Sequence, residues 1–191
     1  MKKLVLSCLF GLVLFNCKEK EEIFRLVNDQ DTIQMDEKVN KDSTENAEMA
    51  PDFSLPDRHG NQKYLADFRG KFVLMDIWAT WCGPCIMQIP AMKALEERYK
   101  EKNLTFLSIS VDQDQDKSKW LKMIDEKQMG GIHLFAGKSS GFSEDYRVDF
   151  IPRFILIDTQ GKIMINNLPQ PMDPYTEDVN PEMIQILDLI K

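Results

Sequence analysis

Residues 71–78 read Lys-Phe-Val-Leu-Met-Asp-Ile-Trp, and cysteines follow at positions 82 and 85. A near-continuous apolar run of this length marks a strand covered on both faces, as in the parallel sheets of α/β proteins. Cys85 to Lys100 then changes period to that of a helix, with Ile89, Met92, Leu95 and Tyr99 spaced for one face. Pro90 inside that stretch should kink it. This order of strand, cysteine and helix constrains the chain more than any other feature. It sets Cys82 at the carboxyl end of a central strand and at the N-terminus of the helix that follows.

The remaining pattern alternates strand and helix. Asp52 to Leu55, a turn over Asp57-Arg58-His59-Gly60-Asn61, and Lys63 to Leu65 read as a hairpin. Leu104 to Val111 is a second buried strand, and Asp116 to Met129 an amphipathic helix. Ser139 to Tyr146 has the composition of a short helix. Arg153 to Asp158, a turn over Thr159-Gln160-Gly161, and Lys162 to Asn166 make a second hairpin. Asn180-Pro181-Glu182 combines a cap, a first-position proline and a first-turn acid, opening a last helix that runs to about Ile190. Two parallel strands joined by a right-handed crossover helix, then an antiparallel pair and helices, give an α/β layout.

The N-terminus reads as an address. Met1-Lys2-Lys3 is basic and Leu4 to Phe15 almost wholly apolar, the order of an export signal. The run is shorter than the roughly 20 apolar residues of a spanning helix. Leu14-Phe15-Asn16-Cys17 resembles a bacterial lipobox, which implies lipidation of Cys17; Asn16 departs from the small residue usual there. Lys18 to Glu22 resembles the acidic tethers of some Bacteroidetes surface lipoproteins. Residues 18–50 hold five Lys/Arg against ten Asp/Glu, with no Trp or Tyr, and read as a flexible spacer. The expected organisation is therefore a signal segment over 1–17, a tether over 18–50 and one domain over 51–191. The whole chain is 43% hydrophobic, which excludes a wholly disordered protein. Its net charge of −7 argues against nucleic acid as a partner.

Trp81-Cys82-Gly83-Pro84-Cys85 carries the chemistry. A thiol facing the open amides at a helix N-terminus is biased toward thiolate, the nucleophile of disulfide exchange. Cys85, one turn inside the helix, can reach Cys82. Pro84 sits where its missing N–H matters little, and Trp81 can cover the pair. The other readings of two cysteines are thinner. A zinc site needs four ligands, and only the isolated His59 and His133 remain. A purely structural disulfide in a first helical turn would be exposed. A thiol peroxidase would need Thr three residues before its reactive Cys, where Ala79 stands before Cys82. A non-catalytic binding module that keeps the disulfide permanently is the rival from another class.

Four segments together resemble the TlpA/ResA-type branch of the thioredoxin-like proteins: Ala50-Pro51-Asp52-Phe53, Phe68-Arg69-Gly70-Lys71, Trp78 to Cys85, and Ile151-Pro152-Arg153-Phe154-Ile155-Leu156-Ile157-Asp158. The likeness covers about residues 48–168. It implies a thioredoxin-like three-layer sandwich, with a mixed central sheet, an N-terminal β-hairpin extension and a C-terminal helix. It implies extracytoplasmic reduction of protein disulfides, with Cys82 attacking and Cys85 resolving. Pro152 matches the cis-proline of the superfamily, placing Ile151 and Pro152 with Trp81, Gly83 and Pro84 at the substrate. Arg153 departs from the Thr usual after that proline, which bears on the partner. Gly83-Pro84 between the cysteines resembles the reducing members.

Asp76 lies inside the apolar strand, six residues before Cys82. A buried carboxylate is costly unless partnered or protonated; an edge position with Asp76 solvated is the bland alternative. The thioredoxin resemblance implies burial beneath the second cysteine and a role as its base. The cofactor expectation is none beyond a redox-active Cys82–Cys85 disulfide, and no metal. The expected partners are protein disulfides, a membrane-embedded thiol reductant and the membrane through the lipid anchor, the protein itself being a monomer. His133 reads as a structural imidazole and His59 as a solvated turn residue. Met75, Met87 and Met92 read as core fillers. Asp112, Asp114 and Asp116 read as a solvated loop that caps the next helix, since no calcium-loop Gly or closing Glu follows.

Overall fold

The apolar runs divide their side chains between two cores, which is why they lack a polar face. In the strand Phe72–Trp78, Val73, Met75 and Ile77 point into one core and Leu74 into the other. Successive strand residues face opposite ways, so a strand covered on both sides is apolar throughout. The computed structural model describes residues 48–190. The signal segment, Cys17 and the tether up to residue 47 lie outside the described residues.

A five-stranded sheet runs through the middle. The N-terminal hairpin comes first in the chain, as β1 (Ser54–Pro56) and β2 (Gln62–Tyr64), paired antiparallel in a sheet of its own. The central sheet contains β3 (Phe72–Trp78), β4 (Leu104–Ser110), β5 (Ile132–Phe135), β6 (Arg153–Ile157) and β7 (Ile163–Ile165), in the spatial order β5-β4-β3-β6-β7. β3, β4 and β5 are parallel; β6 and β7 are antiparallel to their neighbours. β5 carries no strand signal in the sequence. It is four residues long, follows Gly130-Gly131 and contains His133, so neither length nor apolarity marked it.

Helices cover both faces. α1 (Gly83–Tyr99) and α4 (Pro181–Asp188) pack Met92, Leu95, Tyr99, Met183 and Leu187 against Leu74, Phe106, Phe154 and Leu156. On the opposite face, α2 (Lys117–Lys127) contributes Trp120 and Ile124, and the short α3 (Phe142–Asp145) contributes Phe142. The hairpin segment adds Phe53, Leu55, Leu65 and Phe68 to that second core. The three layers are those of the thioredoxin-like sandwich.

The end signals read from the sequence are present. The Asn180 side chain accepts from the Glu182 N–H at 2.9 Å, with Pro181 in the first turn. Asp57 closes the hairpin turn by accepting from the backbone of His59 and Asn61. α1 runs on through Pro90 as one helix to Tyr99, whose hydroxyl donates to Asp188 at 2.7 Å and ties α1 to α4. Glu48, Met49 and Ala50 pair with the turn and strand around Gly161 to Ile163.

Leu95 is fully buried at the centre of the α1 face, whereas Met87 on the same helix is 59% exposed. Leu95→Ala should lower the unfolding free energy by about 2–5 kcal/mol, and Met87→Ala by less than about 0.5 kcal/mol, in urea titrations. Equal shifts in the two urea midpoints would contradict this packing.

Candidate active site

The active end of the sheet is built by the chain running off β3. The parallel ladder continues one step past the strands, with the Val111 N–H bonding to the Trp78 carbonyl at 2.9 Å. A tight turn follows, in which the Cys82 N–H bonds back to the Ala79 carbonyl at 3.1 Å. α1 starts directly after it. Cys82 is the N-cap residue, and its Sγ accepts from the Cys85 N–H at 3.2 Å. The sulfur therefore takes the place that a Ser or Asp oxygen holds at an ordinary helix start. Pro84 stands at the second helical position, where no N–H is missed.

Cys82 and Cys85 form a disulfide, with Cα atoms 5.2 Å apart. Both cysteines are buried, while Gly83 and Pro84 are exposed. Trp81 stands 65% exposed beside them. Beyond the adjoining chain and the helix's own backbone, no atom comes within 4 Å of where a Cβ on Gly83 would lie, so Gly83 itself borders open space. The Ile151–Pro152 peptide is cis. β6 begins at once after it, with Arg153 opposite Ile77, so Ile151 and Pro152 reach the same sheet end as Trp78. Pro152 is buried and Ile151 half-buried. Phe150, 57% exposed, adds an aromatic the sequence reading passed over. An aromatic in a polar loop just before Ile151-Pro152 was the available signal.

Asp76 is in the central strand, between β4 and β6, not at an edge. It alternates onto the α1 side with Leu74 and is buried. Its one side-chain partner is the hydroxyl of Ser108, its register partner on β4, which donates at 3.2 Å. Burial pushes the Asp76 carboxyl up to about 7 against the pull of that hydrogen bond, and the acidic Glu96 adds to the rise. Glu96, on α1, is itself raised to about 7, chiefly by burial, with Lys93 opposing. Its carboxyl lies against Gly130 and Gly131, so a side chain at Gly130 would have to displace it. Glu96 escaped the sequence reading because it sits beside Glu97 and Arg98 in a run that looks solvated.

Two expectations are corrected here. Asp112 is not solvated: it is fully buried and bonded to Thr80 and Ser110. Asp116 does not cap α2 with its side chain and instead pairs with Lys119. Arg153, the departure from the family pattern, turns inward. It is 6% exposed and donates to the carbonyls of Tyr146, Arg147 and Asn166 and to Asn166 Oδ1. Its role is to hold α3's exit and β7's end to β6, not to meet a partner. His133 is buried on β5, which holds its imidazole below the ordinary value. Among the described residues no cluster of His, Cys, Asp or Glu is arranged to hold a metal ion.

Comparison with known proteins agrees with this geometry. The family model for Redoxin matches residues 44–179. The thiol-disulfide oxidoreductase ResA of Bacillus cereus is 33% identical over 116 residues, covering 60% of this chain and 65% of ResA. The thioredoxin-like protein YneN of Bacillus subtilis is 32% identical over 116 residues, 61% of this chain and 67% of YneN. The chain thus spans about 65% of the length of the ResA relatives it matches first. A solution structure from Bacteroides vulgatus, described as a thiol-disulfide oxidoreductase, is 40% identical with a TM-score of 0.61, covering 78% of this chain and 94% of that one. The thiol-disulfide oxidoreductase of Bacteroides fragilis is 26% identical with a TM-score of 0.63, covering 74% and 98%. With its helix-capping Cys82–Cys85 pair, the cis Ile151–Pro152 bond and the family model matching most of its length, the chain belongs to the Redoxin family.

Proposed function

We propose that this protein is an extracytoplasmic thiol-disulfide oxidoreductase that reduces protein disulfides. The observation that carries the reading is the Cys85 N–H held on Cys82 Sγ at the start of α1. In the dithiol form that N–H and the helix dipole favour the Cys82 thiolate. The thiolate attacks one sulfur of a substrate disulfide. A Cys82–substrate bond forms, the substrate S–S bond breaks, and the released substrate sulfur takes a proton from water. Asp76 then accepts the Cys85 proton, and the Cys85 sulfur attacks Cys82 Sγ. The Cys82–Cys85 bond closes, the mixed disulfide breaks, and the second substrate sulfur leaves as a thiolate that takes a proton from water, while Asp76 gives its proton up to solvent. Two electrons pass to the substrate, and an external dithiol must return them to Cys82–Cys85.

The reducing direction is supported by the Gly83-Pro84 dipeptide between the sulfurs. Trp81, Phe150 and Ile151 offer an uncharged rim, suited to apolar segments of unfolded proteins. ResA carries the name thiol-disulfide oxidoreductase, and the reading brings that activity to this chain. Export and tethering at the periplasmic or outer face are supported by the basic–apolar–Cys17 order and the acidic segment behind it. Among the described residues no helix is long and apolar enough to cross a membrane.

The reading predicts catalytic turnover in dithiothreitol-coupled insulin reduction, which a binding module with a permanent disulfide would lack. Cys85→Ser should trap mixed disulfides through Cys82, and Cys82→Ser almost none. The reverse order of trapping would exchange the roles of the two sulfurs.

Asp76→Asn should form mixed disulfides at the wild-type rate and resolve them roughly 10²-fold more slowly, in stopped-flow traces of Trp81 fluorescence. A resolution rate unchanged across about pH 6 to 9 would remove Asp76 as the base. Stability gives a second readout. Asp76 holds its proton to about pH 7 in the folded chain, against about pH 4 in an unfolded one. The folded state therefore binds more protons between those values, and stability falls as pH rises through them. Asp76→Asn abolishes that fall. Its excess stability over wild type should grow from about pH 4 to about pH 7 and stay level above, reaching a few kcal/mol at most.

Labelled fatty acid should enter the wild-type protein in cells and not Cys17→Ala. Equal labelling of the two would end the lipoprotein reading.

A further inference from the structure

Asp112 is fully buried and the redox steps above leave it unused. It stands just beyond the end of β4, one residue after the Val111 N–H that closes the ladder with Trp78. Every side-chain contact it makes is with a donor. The Thr80 N–H is shared between Oδ1 at 3.1 Å and Oδ2 at 3.0 Å. The Thr80 hydroxyl donates to Oδ1 at 2.7 Å. The Ser110 hydroxyl donates to Oδ2 at 2.7 Å, while accepting the Asp112 N–H at 3.2 Å. Four donor contacts on one carboxyl, with no cation among them, form a rigid arrangement in a dry site.

Thr80 is the first of the two central residues in the turn from Ala79 to Cys82. Its N–H points away from the turn's own hydrogen bond and needs an outside acceptor, since the residue is half-buried. Asp112 supplies one and holds the hydroxyl as well. Through Thr80, the end of β4 thereby sets where the turn delivers Cys82 onto the helix N-terminus. That delivery decides whether Sγ lies within reach of the Cys85 N–H.

We propose that Asp112 is a positioning residue for the attacking sulfur, clamping the Thr80-Trp81-Cys82 turn so that Cys82 Sγ sits on the open amides of α1. The inference deepens the thiol-disulfide reading and rests on Cys82 being the attacking thiol. Asp112→Asn replaces one acceptor oxygen by an NH₂ that faces a donor whichever way it turns, so one bond is lost and the clamp loosens. Thr80→Val removes the hydroxyl at constant shape. Thr80→Ser keeps it.

The test is the pH midpoint of Cys82 alkylation by iodoacetamide in the full-length reduced protein, read by peptide mass spectrometry. The charged groups on the flanking elements, Asp76 on β3, Glu96 and Glu97 on α1, and Lys119 on α2, which interacts with the Asp112 charge, are left in place by every variant. With the clamp weakened, the Cys82 thiolate loses its N–H and the midpoint should rise by about one pH unit, lowering its alkylation rate at pH 7 by up to about tenfold. Thr80→Val should give the same rise, Thr80→Ser should restore the wild-type value, and Thr80→Val on top of Asp112→Asn should add little. Midpoints that stay at the wild-type value in both Asp112→Asn and Thr80→Val, while only the melting temperature falls, would overturn the proposal and leave Asp112 a purely structural group. A midpoint that falls would overturn it equally, since the carboxyl would then act through its charge rather than through the turn. If Cys85 proved the more acidic thiol in the wild-type protein, the assignment of the attacking sulfur would fail instead, and the two failures are told apart by which peptide is alkylated first.

Discussion

The hydrogen-bonded seam between β3 and β4 is the constraint on which the site depends. Seven register pairs from Phe72↔Leu104 to Trp78↔Ser110 fix the two strands against each other. Both strands must then end together, and the segments leaving their two ends are forced into proximity. After β3 comes the turn to Cys82; after β4 comes Asp112. Asp76 and Ser108 are partners within the seam itself. A slip of one residue would send Asp76 to the opposite core and separate it from the α1 side. The sheet thus positions the sulfur pair, the buried acid and the turn clamp by one set of backbone bonds. The helix adds the open amides, Cys85 and the acidic Glu96.

Much of this arrangement was legible in the sequence because its signals are local. The apolar run ending at Trp78 announced a central strand, and the change of period after Cys85 announced the helix. The Asn180-Pro181-Glu182 cap and the turn at Gly161 were equally plain. The features that escaped depend on partners far away in the chain. Ile132–Phe135 becomes a strand because β4 offers an open edge, not because four residues around a histidine favour one. Asp112 looked solvated among Asp114 and Asp116, and only the return of the chain at Thr80 buries it. Arg153 looked like a contact for a partner, yet the carbonyls that hold it lie at positions 146, 147 and 166. Asp112 and Arg153 depart from expectation in the same direction, since their surroundings are set by tertiary contacts that no window of sequence contains.

Arg153 shows how the fold tolerates such a residue. A buried guanidinium is acceptable when its fork is filled. Here four acceptors fill it, three of them backbone carbonyls. Burial still lowers its pKa, but an arginine remains charged at any working pH. The residue therefore directs its donors to the chain leaving α3 and to the end of β7. It stiffens the segment that leads into Ile151-Pro152, immediately before β6. The departure from the family's usual Thr is absorbed inside the domain and leaves the outward face of the site to Trp81, Phe150 and Ile151.

Asp76 and Asp112 show that burial alone does not settle what a carboxyl does. Both are out of water and neither has a cation among its hydrogen-bond partners. Asp112 receives four donor contacts from Thr80 and Ser110, enough to occupy both oxygens as acceptors. Asp76 receives one hydroxyl, and its charged form is left short of solvation. An acid furnished with donors is suited to hold a backbone turn in place, since its bonds are made whether or not a reaction proceeds. An acid short of donors is suited to take up a proton, since protonation relieves the penalty of burying its charge. The difference follows from the strand positions: Asp76 lies within the ladder, where the neighbouring backbone N–H groups are already committed to other strands. Asp112 lies one step beyond it, where the Thr80 N–H is free. Where the ladder stops thus decides which of the two buried acids meets donors enough for both its oxygens and which is left with one.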